Sequence, residues 1–222
     1  ETLRDILMKL DSKKPDYILK YTHQVLIEII KKVCDALAYA HSKKIIHRDL
    51  KPDNIMVGEF GEVQLMDWGL AKSLDSEQSE LEVLNESSSM PIDIDITKTM
   101  VGTCIGTPEY MSPEQARGDI SHMDNRTDIY GIGGVLHSCF SLETPIKGST
   151  FENLISKVIS GRINELPKET PPEIVAIVKK AMALKIEDRY RNINELSSDL
   201  IAYQSGFAVS VKHDSFFETL NK

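Results

Sequence analysis

The sequence predicts a mainly α-helical fold with small β-hairpins set into it. Three observations predict this. Apolar residues recur at spacings of three and four through most of the chain. The β-type runs are short and confined to Ile55–Val57 and Val63–Met66, around Gly58 and Gly61. Proline and glycine punctuate the helical stretches where starts and stops belong, at Pro171-Pro172, Gly161 and Gly206.

The elements follow in order. Glu1 to Leu10 carries Leu3, Ile6, Leu7 and Leu10, one short helical face that ends near Pro15. Thr22 to Ser42 reads as a long helix with Leu26, Ile29, Ile30, Val33, Leu37 and His41 on one stripe. At 1.5 Å per residue it runs roughly 30 Å and should be a central packing element. Lys44–Ile46 leads into a polar motif, and the two short apolar runs after it form a hairpin with motifs at its ends. Ser73 to Thr97 holds seven acids, six serines and no clear period, the composition of a loop. Thr127 to Leu142 is apolar on most faces and predicts a buried helix. Amphipathic helices follow over Phe151–Ser160, Glu173–Leu184 and Asn194–Ser205. The tail from Phe207, with Val209, Val211, Phe216, Phe217 and Leu220, is apolar enough to pack on this core or on something else. We divide the chain into one domain over residues 1–205 and a tail over 206–222.

At 222 residues and 41% apolar content the chain can bury a sizeable core in one domain, or one and a part. No apolar run reaches the length of a membrane span. The net charge of -8 is concentrated in the Ser73–Thr97 stretch, which has no Lys or Arg, and nothing suggests a nucleic-acid-binding surface. Cys34, Cys104 and Cys139 are scattered and form no CxxC pair, which argues against zinc and a disulfide framework and for the reducing cytoplasm. There is no signal-peptide pattern and Glu1 is not an initiator methionine, so the chain reads as a piece of a longer protein, either a cytoplasmic one or the cytoplasmic part of a membrane-anchored one.

The chemistry sits in two motifs. Residues 47–54 read His-Arg-Asp-Leu-Lys-Pro-Asp-Asn, and Asp67-Trp68-Gly69 follows, with Asp67 thirteen positions after Asn54. A hydroxyl nucleophile needs a carboxylate to orient it and accept its proton, a role Asp49 can fill. Lys51 could neutralise charge on a phosphoryl group in flight. Asn54 offers a neutral oxygen and Asp67 an anionic one for Mg²⁺ bridging nucleotide phosphates; magnesium takes few carboxylates, with phosphate and water completing its shell. Taken singly, Asp49, Asn54 and Asp67 each read better as turn or cap residues. Together, at this spacing, they describe phosphoryl transfer.

This pair of motifs resembles the catalytic loop and magnesium motif of eukaryotic-type Ser/Thr protein kinases, whose pattern is HRDxxxxN followed by DFG. The resemblance implies Asp49 as base, Lys51 as a phosphate-contacting lysine, Asn54 and Asp67 as Mg²⁺ ligands, and ATP as cofactor. Lys51 favours Ser/Thr over Tyr. Trp68 replaces the usual Phe. Gly106-Thr107-Pro108-Glu109-Tyr110-Met111-Ser112-Pro113-Glu114-Gln115 is similar to the family's docking loop for a protein substrate, in which Thr107 would bridge Asp49 and Lys51. Asp128 would hold the backbone near His47 and Arg48, and Arg189 would pair with Glu114. The Ser-Pro-Glu-Gln-Ala-Arg-Gly ending at Gly118 is most like the bacterial branch. His41 and His47 read as packed, hydrogen-bonded histidines rather than metal ligands.

Residues 67–114 would be the activation segment, lengthened by the acidic insert at 73–97. Arg48 and Lys72 could receive a phosphate on Thr99 or Thr103, ordering the segment. No glycine precedes Gly58, so the Gly-rich loop and the strand lysine of the family have no counterpart in the sequence read. The resemblance therefore implies the C-terminal lobe alone, with the N-terminal lobe absent and the fragment nearly inactive by itself. Met56 would lie beneath the adenine, and the uncovered upper face would favour self-association. Two other readings stand beside this one. A truncated pseudokinase or scaffold is disfavoured by retention of Asp49, Lys51, Asn54 and Asp67. A small-molecule phosphotransferase is disfavoured by the docking loop and the Glu114/Arg189 pair.

Overall fold

A computed structural model describes residues 1–74 and 107–211, the side chain of Ile120 apart. Thr99, Thr103, Gly106, most of the acidic insert and the tail beyond Val211 lie outside the described residues. Helix α1, Leu3–Asp11, starts at a capping box in which the Thr2 hydroxyl accepts from Asp5 N and the Asp5 carboxylate accepts from Thr2 N, both at 3.1 Å. It buries Leu3, Ile6 and Leu7. A short helix α2, Pro15–Lys20, follows on Pro15, whose fixed φ suits a first turn; six residues with no buried position leave no periodicity to read. Helix α3, His23–Ser42, is capped by Thr22 and buries the expected stripe except His41, which is half-buried, and adds Ile27, Cys34 and Ala40.

Strand β1, Ile45–Ile46, pairs antiparallel with β4, Lys72–Ser73; β2, Ile55–Val57, pairs antiparallel with β3, Val63–Leu65. The β2–β3 register puts Met56 opposite Gln64, and the turn closes at Gly61, whose φ of 84° suits glycine. The far edge of β2 is also used: Val57 N donates to Glu1 O at 2.8 Å, the Glu1 amino group donates to Val57 O at 3.0 Å, and Thr2 bridges Met56. The β1–β4 pairing is non-local and had no counterpart in the sequence reading.

After α4, Pro113–Ala116, the chain enters α5, Asn125–Ser141, capped by Asp124. Every residue of α5 from Thr127 to Phe140 is buried. Its glycines answer to close packing. A Cβ on Gly131 would lie 2.8 Å from Leu50 Cβ, and one on Gly133 would lie 2.7 Å from Met182 Cγ. Helices α6 (Phe151–Ile159), α7 (Pro172–Ala181) and α8 (Ile193–Gln204) complete the fold. Helix α7 stops three residues short of the expected Leu184, where Met182 N turns back to Val178 O.

The main core joins α1, α3, α5, α7 and α8, and a satellite of Met111, Ile146, Leu154 and Val158 lies under α6. At Gly206, with φ 73°, the chain reverses along α8. Val209 is then fully buried in the main core, and Ser210 donates from both its N and its Oγ to Asp199 at 2.8 Å. The first residues of the tail thus pack on this core. Among the described residues, no helix is long and apolar enough to cross a membrane.

Candidate active site

The loop from His47 to Asn54 links β1 to β2 and lies against the first turn of α5. Asp128 accepts from His47 N and Arg48 N, both at 2.9 Å, and its Oδ2 lies 2.7 Å from His41 Nε2. These bonds hold Arg48 at φ 67°, a left-handed conformation that costs a non-glycine residue about 1–3 kcal/mol. Gln115 adds a clamp from the other side, donating from Nε2 to Arg48 O at 2.7 Å, and Arg48 Nε donates to Leu70 O at 2.6 Å.

His47 is fixed by its two partners. Asp49 N donates to its Nδ1 at 3.3 Å, so Nε2 carries the proton and donates to Met66 O at 2.9 Å. The ring is therefore a neutral connector between the two motifs. Met66 is held at both ends, since its N donates to Asn54 O at 2.8 Å. This one residue sets the spacing between Asn54 and the adjoining Asp67.

Asp49 is buried, with donors on both oxygens. Lys51 Nζ reaches Oδ2 at 2.8 Å and Asn54 Nδ2 reaches it at 3.0 Å; Thr107 N donates to Oδ1 at 3.1 Å, with the Thr107 hydroxyl at 3.4 Å. Lys51 Nζ also donates to Thr107 Oγ1 at 2.7 Å, so Thr107 does bridge Asp49 and Lys51. The amide group of Asn54 donates to Asp49 O at 2.8 Å as well. Its NH₂ is thus committed to Asp49, which leaves its carbonyl oxygen as the atom available to a cation.

Asp67 is exposed and left-handed, at φ 59° and ψ 67°, and opens a 3-10 turn over Trp68–Leu70. Trp68 stands edge-on to His47 with ring centroids 4.7 Å apart, and its Nε1 donates to Leu65 O at 3.1 Å. The side-chain oxygens of Asn54 and Asp67 are hard donors of the kind magnesium takes. Among the described residues no group of three or more His, Cys, Asp or Glu could hold a metal ion. Such a pair needs phosphate and water to complete a cation's shell. Met56 is half-buried on β2, and Met66 and Trp68 are 42% and 38% exposed.

Glu114 and Arg189 form a buried two-pronged pair at 2.7 and 2.8 Å. The Thr127 hydroxyl donates to the same carboxylate at 3.0 Å. Burial pushes the Glu114 carboxyl up, but the Arg189 hydrogen bond and charge outweigh it, and its pKa lies below the ordinary value. Burial pushes the Cys139 thiol up to about 12 and the Cys34 thiol higher still, which leaves both inert. Lys72 lies on β4 beside β1.

Sequence reasoning missed Gln115 as a partner of Arg48 O and His41 as a partner of Asp128. The Ser112-x-x-Gln115 capping box was the available signal for the first. The second spans 87 positions and leaves no local trace.

The protein kinase domain model matches residues 6–201. The serine/threonine-protein kinase PknD of Protochlamydia amoebophila is 34% identical over 215 residues, 93% of this chain and 22% of that protein. The protein of the same name from Chlamydia caviae is 32% identical over 210 residues, 92% of this chain and 22% of its own. The one from Chlamydia trachomatis serovar D is 36% identical over 185 residues, 81% and 20% respectively. The chain thus spans about a fifth of the length of the curated relatives it matches. With its paired motifs joined as the family pattern requires, the chain belongs to the protein kinase family, among the bacterial, eukaryotic-type serine/threonine kinases.

Proposed function

We propose that this chain is the catalytic-loop half, the C-terminal lobe, of an ATP-dependent kinase that phosphorylates Ser or Thr hydroxyls on proteins. The observation that carries this reading is the Asp49 carboxylate, oriented by Lys51, Asn54 and Thr107 from three directions. Asp49 takes the proton of the acceptor hydroxyl as its oxygen bonds to the γ-phosphorus and ADP leaves. Lys51 balances charge on the transferred group. Asn54 and Asp67 would hold Mg²⁺, which when bound neutralises the phosphate oxygens. Met56 would support the adenine. The acceptor enters beside Thr107. Burial pushes the Tyr110 phenol up to about 12, so it stays neutral where it meets Ser138 Oγ at 3.0 Å.

The partly exposed Met66 and Trp68 support a covering element over this face, namely a nucleotide-binding lobe that supplies the Gly-rich loop and the strand lysine. Phosphoryl transfer runs on positioning and charge stabilisation, so one wall of the cradle alone should be nearly inactive. Left uncovered, the same face would favour self-association. Activation follows from phosphate on Thr99 or Thr103, received by Arg48 and Lys72. We place the active site on the cytoplasmic side, where ATP is. The test is phosphate transfer from labelled ATP by the full-length protein and its Asp49→Asn variant. Losing a positioned base lowers the rate about 10²–10⁴-fold; equal labelling of the two proteins overturns the assignment.

A further inference from the structure

We infer that Trp68 is a positioning residue whose indole N–H clamps the Asp67 turn shut, holding the Asp67 carboxylate toward the nucleotide phosphates before any ligand arrives. The inference rests on the reading of Asp67 as a magnesium ligand and adds how that ligand is held. Leu65 O accepts from Trp68 Nε1 at 3.1 Å, so a side chain three residues on closes a ring around Met66 and Asp67. The residue so enclosed has φ 59° and ψ 67°, which a non-glycine residue rarely adopts unaided.

Burial does not supply the restraint, since Trp68 is 38% exposed and Asp67 is exposed. Other contacts hold what lies on either side of the turn. His47 Nε2 donates to Met66 O at 2.9 Å, and Met66 N donates to Asn54 O at 2.8 Å. Past Asp67, Arg48 Nε donates to Leu70 O at 2.6 Å, which ties that side to the catalytic loop. The indole ties the far side of Asp67 back to β3. Its ring also rests edge-on against His47, at 4.7 Å between centroids, so one side chain engages both the catalytic loop and the strand before Asp67. A phenylalanine at this position can keep the ring contact with His47 but has no donor for Leu65 O. The consequence is a magnesium-binding turn that is preorganised, with less ordering left to do on binding.

Trp68→Phe in the full-length protein separates the hydrogen bond from the ring contact, and two measurements read it. Without nucleotide, hydrogen–deuterium exchange of the peptide spanning residues 63–71 should be faster in Trp68→Phe than in wild type. In a peptide-phosphorylation assay, the magnesium concentration for half-maximal rate should rise about fivefold, the worth of one net hydrogen bond, with the KM for peptide unchanged. Equal exchange in the two proteins overturns the clamp. Equal magnesium requirement overturns the positioning role. Asp67→Asn is run alongside and should raise the magnesium requirement well beyond Trp68→Phe. If Asp67→Asn titrates like wild type, the ligand reading falls and the positioning role with it, and the exchange comparison alone decides the clamp.

Discussion

Arg189→Met should destabilise the fold by about 3–5 kcal/mol, the cost of leaving one partner of a buried ion pair behind. The structure accounts for the size. Arg189 donates twice to Glu114, at 2.7 and 2.8 Å, and also to Ala183 O at 2.9 Å and Arg126 O at 3.1 Å. Its guanidinium lies 4.9 Å from the centre of the Tyr130 ring. Methionine fills much of the volume and satisfies none of the acceptors. It leaves the 5%-exposed Glu114 without its guanidinium, with the Thr127 hydroxyl still donating at 3.0 Å. For a chain of this size the loss corresponds to roughly 6–20 °C in melting temperature. Urea unfolding at pH 7 measures it.

The Glu114/Arg189 contribution also carries a pH signature. The carboxyl is depressed in the folded state, so its stabilisation is present above the unfolded value of about 4.3 and is lost as pH falls through the folded value. The gap between wild type and Arg189→Met should narrow below about pH 4. A loss under about 1 kcal/mol at pH 7, the worth of an exposed pair, would refute the reasoning.

Two further outcomes follow from packing and burial. Gly131→Ala places a methyl 2.8 Å from Leu50 Cβ, so it should cost about 1–3 kcal/mol through overpacking and lower kcat by displacing the catalytic loop; unchanged urea midpoint and kcat would show that the loop can retreat freely. Burial holds the His137 pKa below its ordinary value, so the unfolded chain takes the proton first and stability should decline as pH falls from about 6.5. His137→Gln should flatten that slope in melting temperature between pH 7.5 and 5.5 without abolishing it, because His23 is shifted the same way; an unaltered slope assigns the effect elsewhere.

The long helices were legible because their burial is periodic. The stripe on α3 and the mostly apolar α5 announce themselves in the residues; the Thr22 cap falls at the expected end, while α5 starts two residues before the expected Thr127, behind its Asp124 cap. The β2–β3 hairpin was legible for the same local reason. Asp49, Lys51, Asn54 and Asp67 were legible as one group because they lie close in sequence, and the structure brings the first three into contact. Partners that meet across the chain were legible only through the family resemblance; Asp128 with His47 and Glu114 with Arg189 are separated by 81 and 75 positions. What stayed hidden had neither periodicity nor motif. Helix α2 buries nothing, the β1–β4 ribbon has two residues a side, and Val209 enters the core beside Ser210, whose N and Oγ donate to Asp199.

Leu50, one residue after Asp49, sits in the main core against Gly131, and Asp128 ties the two residues before Asp49 to the same helix. No hinge separates catalysis from cohesion here. The loop cannot swing out while α5 stays packed, because leaving means emptying the seat at Gly131 and stranding a buried carboxylate. In the full-length protein, heat inactivation and melting of this region should therefore be one event seen by two instruments, with no intermediate population that is folded but has displaced Asp49.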